Sequence, residues 1–545
     1  MSGTDTVVLE GFCEDSPHPK MVTRMQRFWY WFWKISLGIV HFIAHCIYVL
    51  FYCGRGKVVP SVENPLLLKS ATKLAEEIRE GKLKSVDVVQ AYINRILEVE
   101  PYINATVDRC FLDAMEEARM ADSLIASGQY TKEQLADLKP LLGVPFSVKV
   151  LLLVKGLRCT GASKIFADLK AGDDSPSVAL MKKAGAIVIA TTNSAEMGMH
   201  FETNNLIHGT TCNPYDTNRT SGGSSGGESA LISAAGSPLG LGNDLLGSIR
   251  VPCHFTGLFG HKPTMGLVPN LGCHPAPDPS MADYLYTGPM CRYAEDLIVS
   301  MRVLSSESGV PINFGQKADF RSLKIYYMKN IRGPMIVPVD KDISQGLENA
   351  ITYFKSKYDV KTKEINMPSL YDAGRCVLNI IMNGMKDLKA VLTAGKGTHI
   401  NEKLDFVKFF FGKSILSNGP LIAMNMSKLS MFYDKSKAPH YKELMDCWAK
   451  EFDSLLDDNS VLLMPTLPVT APYHTEMFYF LPSTCYTSIF NVLGLPSTQC
   501  PVGYTSSRLP YGIQIVGRRN NDALTIACAV ELEKAFGGWK SPGSL

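Results

Sequence analysis

Ser221-Gly-Gly-Ser-Ser-Gly-Gly-Glu228 is the most informative segment of this 545-residue sequence. A second glycine-rich segment follows it closely, Gly240-Leu-Gly-Asn-Asp-Leu-Leu-Gly-Ser-Ile-Arg250. Glycine and serine at this density allow a backbone to approach a ligand and to point its N–H groups inward. Residues 229–235, which separate the two segments, are small and apolar and predict a tightly packed helix. The pattern therefore indicates a site built from two loops.

Three other interpretations of these loops compete with a reactive site. Clusters of glycine and serine are most often plain surface loops. Residues 242–248 have the glycine spacing of a phosphate-binding loop, but the lysine that should follow is missing. Residues 222–226 match the G-x-S-x-G pattern of an α/β-hydrolase nucleophile elbow, which must follow a hydrophobic strand. The preceding residues 213–220 form a polar turn sequence instead, and this argues against the elbow.

The sequence around the loops alternates between strand and helix patterns. Gly143-Val-Pro-Phe-Ser-Val-Lys149 predicts a strand that leads into a buried apolar run, and residues 186–190 predict a second buried strand. Two helices are predicted before them, at residues 70–80 with Ser70 as the N-cap and at residues 85–98 with Ser85 as the N-cap. This alternation favours an α/β fold with a mixed sheet.

The N-terminal region predicts a membrane anchor. Residues 35–53 contain no Lys, Arg, Asp or Glu, and as a helix they span about 28 Å, close to the thickness of a hydrocarbon core. Aromatic residues at positions 28–33 and cations on both sides suit a membrane interface. We expect a single transmembrane helix; an interfacial helix and a buried core helix are the alternatives. His41 and His45 share one helix face, and we interpret them as neutral anchor residues rather than metal ligands.

Composition excludes several other classes of protein. The chain carries 55 basic and 52 acidic residues, so no charge excess indicates nucleic-acid binding. Its 46% hydrophobic and 20% charged residues suit a globular protein with a large core. The 14 cysteines include no CxxC pair and no Cys/His cluster with zinc-ligand spacing, so we expect no metal site.

Three segments together resemble the amidase-signature family: residues 143–149, the GGSSGGE of residues 222–228 and the GSIR of residues 247–250. The resemblance extends over nearly the whole chain from about residue 60 and is strongest to lipid-amide hydrolases of that family; it includes residues 64–68, 87–95, 287–296, 494–501, 509–514 and 536–539. It implies an α/β amidase-signature fold, a large mixed β-sheet core with helices on both faces. It also implies a serine hydrolase that cleaves amide bonds of lipid-like substrates through an acyl-enzyme.

The resemblance assigns a Ser-Ser-Lys triad: Lys149 is the base, Ser224 is the bridging serine, and Ser248 is the nucleophile. Serine is a poor nucleophile without a base, and a lysine can act as that base if burial keeps it neutral. The resemblance places the oxyanion hole at the backbone N–H groups of Leu245, Leu246, Gly247 and Ser248, with support from Ser225 and Asp244. It requires no cofactor and no metal.

Three residues depart from the family pattern. Leu246 stands where a glycine is usual, Asn243 where threonine or serine is commoner, and Val150 where an acidic residue often follows the lysine. Leu246 is the most consequential, since a position that requires φ > 0 would strain a leucine. Alternatively, its side chain fills space that the substrate would occupy.

These observations divide the chain into a polar tail at residues 1–27, a transmembrane anchor at 28–53 and an amidase-signature catalytic domain at 54–545. The expected partners are a small lipid amide and a membrane, bound through the N-terminal helix, and no nucleic acid; a homodimer is left open. The competing function is a non-catalytic or strongly impaired amidase-fold protein that binds lipid amides as a carrier or scaffold. The intact triad favours the hydrolase, whereas the altered loop at Leu246 favours the carrier.

Overall fold

A large mixed β-sheet forms the centre of the molecule. The computed structural model describes residues 7–8, 24–277, 279–316, 318–333, 335–384, 388–393, 400–426, 428 and 433–545. The strands in this part of the chain are β1 (Val7–Val8), β2 (Thr106–Arg109), β3 (Pro145–Lys149), β4 (Ile187–Thr192), β5 (Asn204–Asn205), β6 (Gly209–Thr210), β7 (Cys212–Asn213), β8 (Asp216–Thr220), β9 (Leu239–Asp244), β10 (Phe259–Lys262), β11 (Tyr286–Cys291), β12 (Lys324–Tyr327), β13 (Lys361–Asn366), β14 (Ser460–Pro465), β15 (Ser497–Tyr504) and β16 (Pro510–Val516). Twelve of them form one sheet in the order β1-β13-β12-β14-β16-β15-β10-β11-β9-β3-β4-β2, and the others form two small hairpin pairs.

Helices surround this sheet. Within the described ranges the α-helices are α1 (Arg24–Tyr52), α2 (Ala71–Arg79), α3 (Ser85–Ile103), α4 (Phe111–Ala126), α5 (Lys132–Leu138), α6 (Pro176–Lys183), α7 (Gly226–Ser233), α8 (Arg250–Thr256), α9 (Ala294–Leu304), α10 (Lys341–Tyr358), α11 (Ala373–Gly384), α12 (Leu388–Thr393), α13 (Glu402–Phe410), α14 (Asn418–Met426), α15 (Ala438–Leu455), α16 (Cys485–Val492) and α17 (Asp522–Phe536). A 3₁₀ segment, Glu476–Thr484, precedes α16.

Strand β14 shows that helices cover both faces of the sheet. Side chains alternate between the faces of a strand. Val461 and Leu463 therefore pack in the core that contains α10, whereas Leu462 and Met464 pack in a second core with α11, α15 and α16. The predicted fold class, an α/β protein with a mixed sheet between helical layers, is confirmed.

The sequence located the elements near the glycine-rich loops within a few residues. The strand predicted to end at Lys149 is β3, the apolar run at 186–190 is β4, and the predicted helices are α2 and α3. Ser70 caps α2 by accepting a hydrogen bond from the Lys73 N–H group. The prediction that Ser85 is an N-cap is wrong: Lys84 holds that position, and the Ser85 hydroxyl donates to the carbonyl of Gly143 at 2.8 Å.

The parallel pairing of β3 with β9 brings the two halves of the candidate site together. Ser147 pairs with Gly240 and Val148 with Leu241, so both strands end at the same edge of the sheet. Lys149 ends β3 at that edge, and the second glycine-rich loop leaves β9 there. The first glycine-rich loop enters α7, whose residues are all buried, as the small apolar run predicts.

Helix α1 contains a 19-residue stretch, Lys34–Tyr52, with a mean hydropathy of 1.9. By length and composition it can cross a membrane, and among the described residues it is the one helix that meets this test. Large apolar side chains on it, including Ile43 and Leu50, are exposed. Another side of the helix contacts residues 473–480, a contact that the sequence did not predict.

Candidate active site

Lys149 is completely buried and is the centre of the site. Its Nζ lies 2.6 Å from the Ser224 Oγ and 2.6 Å from the Asn243 Oδ1. Burial lowers the pKa of Lys149 to about 7, although the negative charge of Asp244 opposes this shift. A neutral amine has two N–H donors and one lone pair, so it can donate to the Asn243 amide oxygen and accept the hydroxyl proton of Ser224.

The three predicted triad residues lie together. Ser224 is 2% exposed and Ser248 is 5% exposed, and the loops that carry them touch where the Ser225 N–H group donates to the Ser248 carbonyl at 3.3 Å. The Ser225 hydroxyl donates to the Asn243 carbonyl at 3.4 Å. The Ser248 hydroxyl has no hydrogen-bond partner within the described part of the chain, so the relay from Ser248 to Ser224 is not closed here.

Two glycines of the first loop are needed because neighbouring backbone lies against them. A Cβ atom on Gly223 would lie 2.6 Å from the Glu202 nitrogen, and one on Gly227 would lie 2.4 Å from the Asn193 carbonyl oxygen. Real Cβ atoms do not approach other atoms this closely, so a side chain at either position requires the backbone to move. The sequence suggested that these glycines let a ligand approach the loop. In the structure, the backbone of Glu202 and Asn193 occupies the space beside them.

The second loop differs from the predicted oxyanion hole at one donor. The Gly247 N–H group donates to the Asp244 Oδ1 at 2.7 Å, so the carboxylate occupies it. The N–H groups of Leu245, Leu246 and Ser248 donate to no acceptor within the described residues. Gly247 has φ = +130°, which explains the glycine at this position.

Leu246, by contrast, is not in the left-handed region, which excludes backbone strain, the first of the two alternatives for this residue. Its half-buried side chain packs against apolar clusters that include Val251 and Phe480. The Thr487 hydroxyl donates to the Leu246 carbonyl at 2.6 Å and fixes the loop from the other side. The second alternative, that the side chain of Leu246 fills space the substrate would occupy, stays a prediction.

Asp244 and Arg250 brace the second loop. The Arg250 Nη2 lies 3.1 Å from the Asp244 Oδ1, and both side chains are fully buried. Burial by itself raises the pKa of Asp244, but Arg250 and hydrogen bonds from Asn491 and the Ile249 N–H group hold it at about 2. Arg250 also donates to the Thr487 carbonyl at 2.9 Å. The Asp244 carboxylate thus stays charged, and it interacts with the Arg250 guanidinium and with N–H groups of the loop backbone.

Sequence reasoning assigned no role to Arg250, Asn491, Thr487 or Glu228. Arg250 was visible in the GSIR motif, but α16, which carries Asn491 and Thr487, lies more than 200 residues away in the sequence. Glu228 accepts hydrogen bonds from the hydroxyls of Ser147 and Thr192, the latter at 2.6 Å. Burial raises the pKa of Glu228 to about 8. A neutral Glu228 does not stabilise the charged form of Lys149.

Metal ligands do not gather at this site. Within the described residues, no group of three or more His, Cys, Asp or Glu side chains is arranged to hold a metal ion. The groups that converge are an amine, two hydroxyls, an amide and backbone N–H groups. Such groups are suited to proton transfer and to stabilising a negatively charged oxygen.

Comparisons with known proteins show the family of this chain. The family model described as Amidase matches residues 87–526. "Fatty-acid amide hydrolase 2-A" of Danio rerio is 38% identical over 89% of this chain and 92% of its own length. "Fatty-acid amide hydrolase 2" of Homo sapiens is 37% identical over 88% and 92%. Among solved structures, one titled "Fatty acid amide hydrolase" matches with a TM-score of 0.71 at 21% identity, covering 87% of this chain and 86% of that one.

The fold, the site and these matches define an amide-hydrolysing enzyme. More particularly, the chain belongs to the amidase family, whose model covers more than half of its length. The solved structure of a 6-aminohexanoate cyclic dimer hydrolase shares the fold, with a TM-score of 0.68 at 22% identity over 86% of this chain and 97% of that one.

Replacing Leu246 by alanine and by glycine separates side-chain volume from backbone conformation. We expect the two variants to behave alike, because φ at this position already suits any residue. Both should lose about 1–3 kcal/mol of stability from the partly buried packing and gain kcat/KM mainly on bulky amides. Thermal melting and a series of amides of increasing size measure both effects. A rise in kcat on all substrates in the glycine variant alone would contradict this account.

Proposed function

We propose that this protein is a membrane-associated serine hydrolase that cleaves fatty-acid amides with Ser248, Ser224 and Lys149. The observation that carries the proposal is the 2.6 Å contact between the buried Lys149 amine and the Ser224 hydroxyl, beside Ser248. A lysine with a pKa near 7 is available as a base at neutral pH.

In the acylation step, the Ser248 Oγ attacks the amide carbonyl carbon. The Ser248 proton passes to the Ser224 Oγ, and the Ser224 proton passes to the Lys149 Nζ. The carbonyl oxygen becomes an oxyanion, which the free N–H groups of Leu245, Leu246 and Ser248 stabilise; one such donor is typically worth about 3 kcal/mol. When the C–N bond breaks, the proton on Lys149 returns through Ser224 to the leaving amine.

Deacylation repeats these transfers with water as the nucleophile. Water attacks the carbonyl carbon of the Ser248 ester, and its proton passes through Ser224 to Lys149. When the C–O bond to Ser248 breaks, this proton returns through Ser224 to the Ser248 Oγ, and the acyl group leaves as the carboxylic acid. Ser225 and Asp244 hold the two loops in register, and Asn243 accepts a hydrogen bond from Lys149 throughout. The closing of the Ser248–Ser224 hydrogen bond accompanies substrate binding, as catalytic hydrogen bonds often tighten only in the substrate complex.

Two features support a lipid-like substrate and a membrane location. Relatives that match nine-tenths of the chain are named for fatty-acid amides. Besides α1, helix α13 and the residue after it expose a second apolar surface, with Leu404 48%, Val407 52% and Phe411 73% exposed. Exposed apolar patches of this kind mark contact with membranes or partners. An enzyme held at a bilayer can take lipid amides from it.

A strongly impaired hydrolase that mainly binds lipid amides is the competing function. It is favoured by the occupied Gly247 N–H group and by the open relay between Ser248 and Ser224. The two functions differ in the reactivity of Ser248, which covalent labelling measures directly.

A fluorophosphonate is expected to label Ser248, because this residue lies on the second loop beside the N–H groups proposed as the oxyanion hole. Mass spectrometry of the digested protein locates the adduct. Ser248→Ala should lower turnover by about 10⁴-fold or more, whereas Ser224→Ala should slow labelling but leave the adduct on Ser248. An adduct on Ser224 would reverse the two assignments, and an unlabelled protein would support the impaired hydrolase.

The rate should fall as the pH drops through about 7, because Lys149 then becomes charged and stops acting as a base. Below that pH, kcat/KM is expected to fall about tenfold per unit. Glu228→Gln is the matched control: since Glu228 is already neutral there, the replacement should leave the midpoint near 7. A midpoint that disappears in this variant would assign the titration to Glu228 instead.

Deleting residues 1–57 should release much of the protein from membranes, since it removes the apolar stretch of α1. The exposed side chains of α13 are expected to keep a fraction of the truncated protein bound to the membrane. Deleting residues 1–23 alone keeps α1 and should leave membrane attachment unchanged. Flotation on liposomes measures the bound share. A full-length protein that stays entirely in the soluble fraction would refute membrane association.

A further inference from the structure

One face of α1 meets the catalytic domain. His41, His45, Tyr48 and Tyr52 follow the 4-3-4 spacing of a single helix face. They contact residues 473–480, which we call the docking segment. The Tyr48 hydroxyl lies 3.0 Å from the Thr475 Oγ1, and the Tyr52 ring stacks on Tyr473 with centroids 5.1 Å apart. From His41 to Tyr52 this contact covers about 16 Å of the helix.

Glu476 is the polar centre of the contact. Its side chain is 2% exposed, and its Oε1 lies 2.6 Å from the His45 Nδ1 and 3.3 Å from the His41 Nε2. Its Oε2 accepts a hydrogen bond from the Tyr473 N–H group at 3.0 Å. A buried carboxylate that loses its hydrogen bonds is costly. Helix α1 therefore supplies two partners that the docking segment needs.

The docking segment also packs near the second glycine-rich loop, residues 244–248, which we call the oxyanion loop. Met477 and Phe480 belong to the apolar cluster of Val251 and Phe255 in α8, against which Leu246 packs. The segment continues as the 3₁₀ turn into α16, where Thr487 donates to the Leu246 carbonyl. A shift of the docking segment thus moves the packing beneath Leu246.

A second connection runs from the docking segment to the loop of Ser224. The His474 Nδ1 lies 2.7 Å from the Glu202 Oε1, and the Thr475 N–H group donates to the Glu202 Oε2 at 2.9 Å. The Glu202 backbone nitrogen lies directly against Gly223, the residue before Ser224. The docking segment is therefore connected to both loops that carry the candidate triad serines. Leu246 makes the connection to the loop of Ser248, and Glu202 makes the connection to the loop of Ser224.

We infer that α1 is a positioning element of the active site as well as an anchor. Through Glu476, His41 and His45 hold the docking segment where it sets the oxyanion loop and the Ser224 loop. This inference rests on the proposed function, since it assigns these residues an effect on the same reaction. His41 and His45 are positioning residues: they act through Glu476 and do not touch the reacting atoms.

The test compares kcat and KM of docking variants of the full-length protein on a short, water-soluble amide. Glu476→Ala and the double variant His41→Ala/His45→Ala should each lower kcat by about tenfold, since small misplacements of catalytic groups have effects of this size. KM should change less than about twofold, because the substrate contacts themselves stay in place. Combining the three substitutions should lower kcat no further than either variant does, because they break one contact.

Two further variants separate positioning from a general loss of structure. Glu476→Gln keeps an oxygen that accepts hydrogen bonds and should retain most of the rate. Ile43→Ala/Leu50→Ala changes the opposite, exposed face of α1 and should leave kcat unchanged. Wild-type kcat in the triple variant, or equal losses from the Ile43/Leu50 control, would overturn the inference.

Hydrogen exchange of peptides covering residues 244–252 gives a readout that does not need turnover. The docking variants should exchange faster there than the wild type and the Ile43/Leu50 control. A wild type that no fluorophosphonate labels would defeat the proposed function while this exchange comparison still tested the coupling. Unchanged exchange at 244–252 in every docking variant would defeat the coupling while leaving the proposed function intact.

Discussion

The burial of the Lys149 amine, with no ion-pair partner among the described residues, is the constraint on which the rest of the site depends. A buried ammonium would demand a carboxylate, and both nearby carboxyl groups are otherwise engaged. Glu228 is held neutral by burial, and Asp244 is paired with Arg250. The hydrogen bonds of the amine go to neutral oxygens, so the lysine is left as a base.

The sheet and the glycines supply the geometry that this constraint requires. Parallel pairing places the end of β3 next to the end of β9, so a lysine and a glycine-rich loop meet without a long connection. Gly223 and Gly227 then let the first loop lie directly on neighbouring backbone. The absence of side chains at these two positions is what allows the first loop to lie against the backbone of Glu202 and Asn193.

The sequence predicted the fold class and grouped Lys149, Ser224 and Ser248, because these features are encoded by local motifs. It did not predict Asn491 or Thr487, since their contacts depend on how α16 packs against a loop far away in the chain. It left two alternatives for Leu246, because a motif shows which residue is usual at a position but not its φ. It predicts that His41 and His45 are neutral anchor residues and not that they meet Glu476, since hydropathy describes how apolar a helix is but not which face another part of the protein covers.

The contact between α1 and Glu476 also has a consequence for synthesis. His45 and Glu476 are 431 residues apart in a chain of 545. At the pace of translation, about 5–20 residues per second, the helix leaves the ribosome tens of seconds before its docking segment exists. During that interval its histidine and tyrosine face is unpaired while its apolar face is ready for the bilayer. The catalytic domain must then fold with its docking segment against a helix that is already in the bilayer.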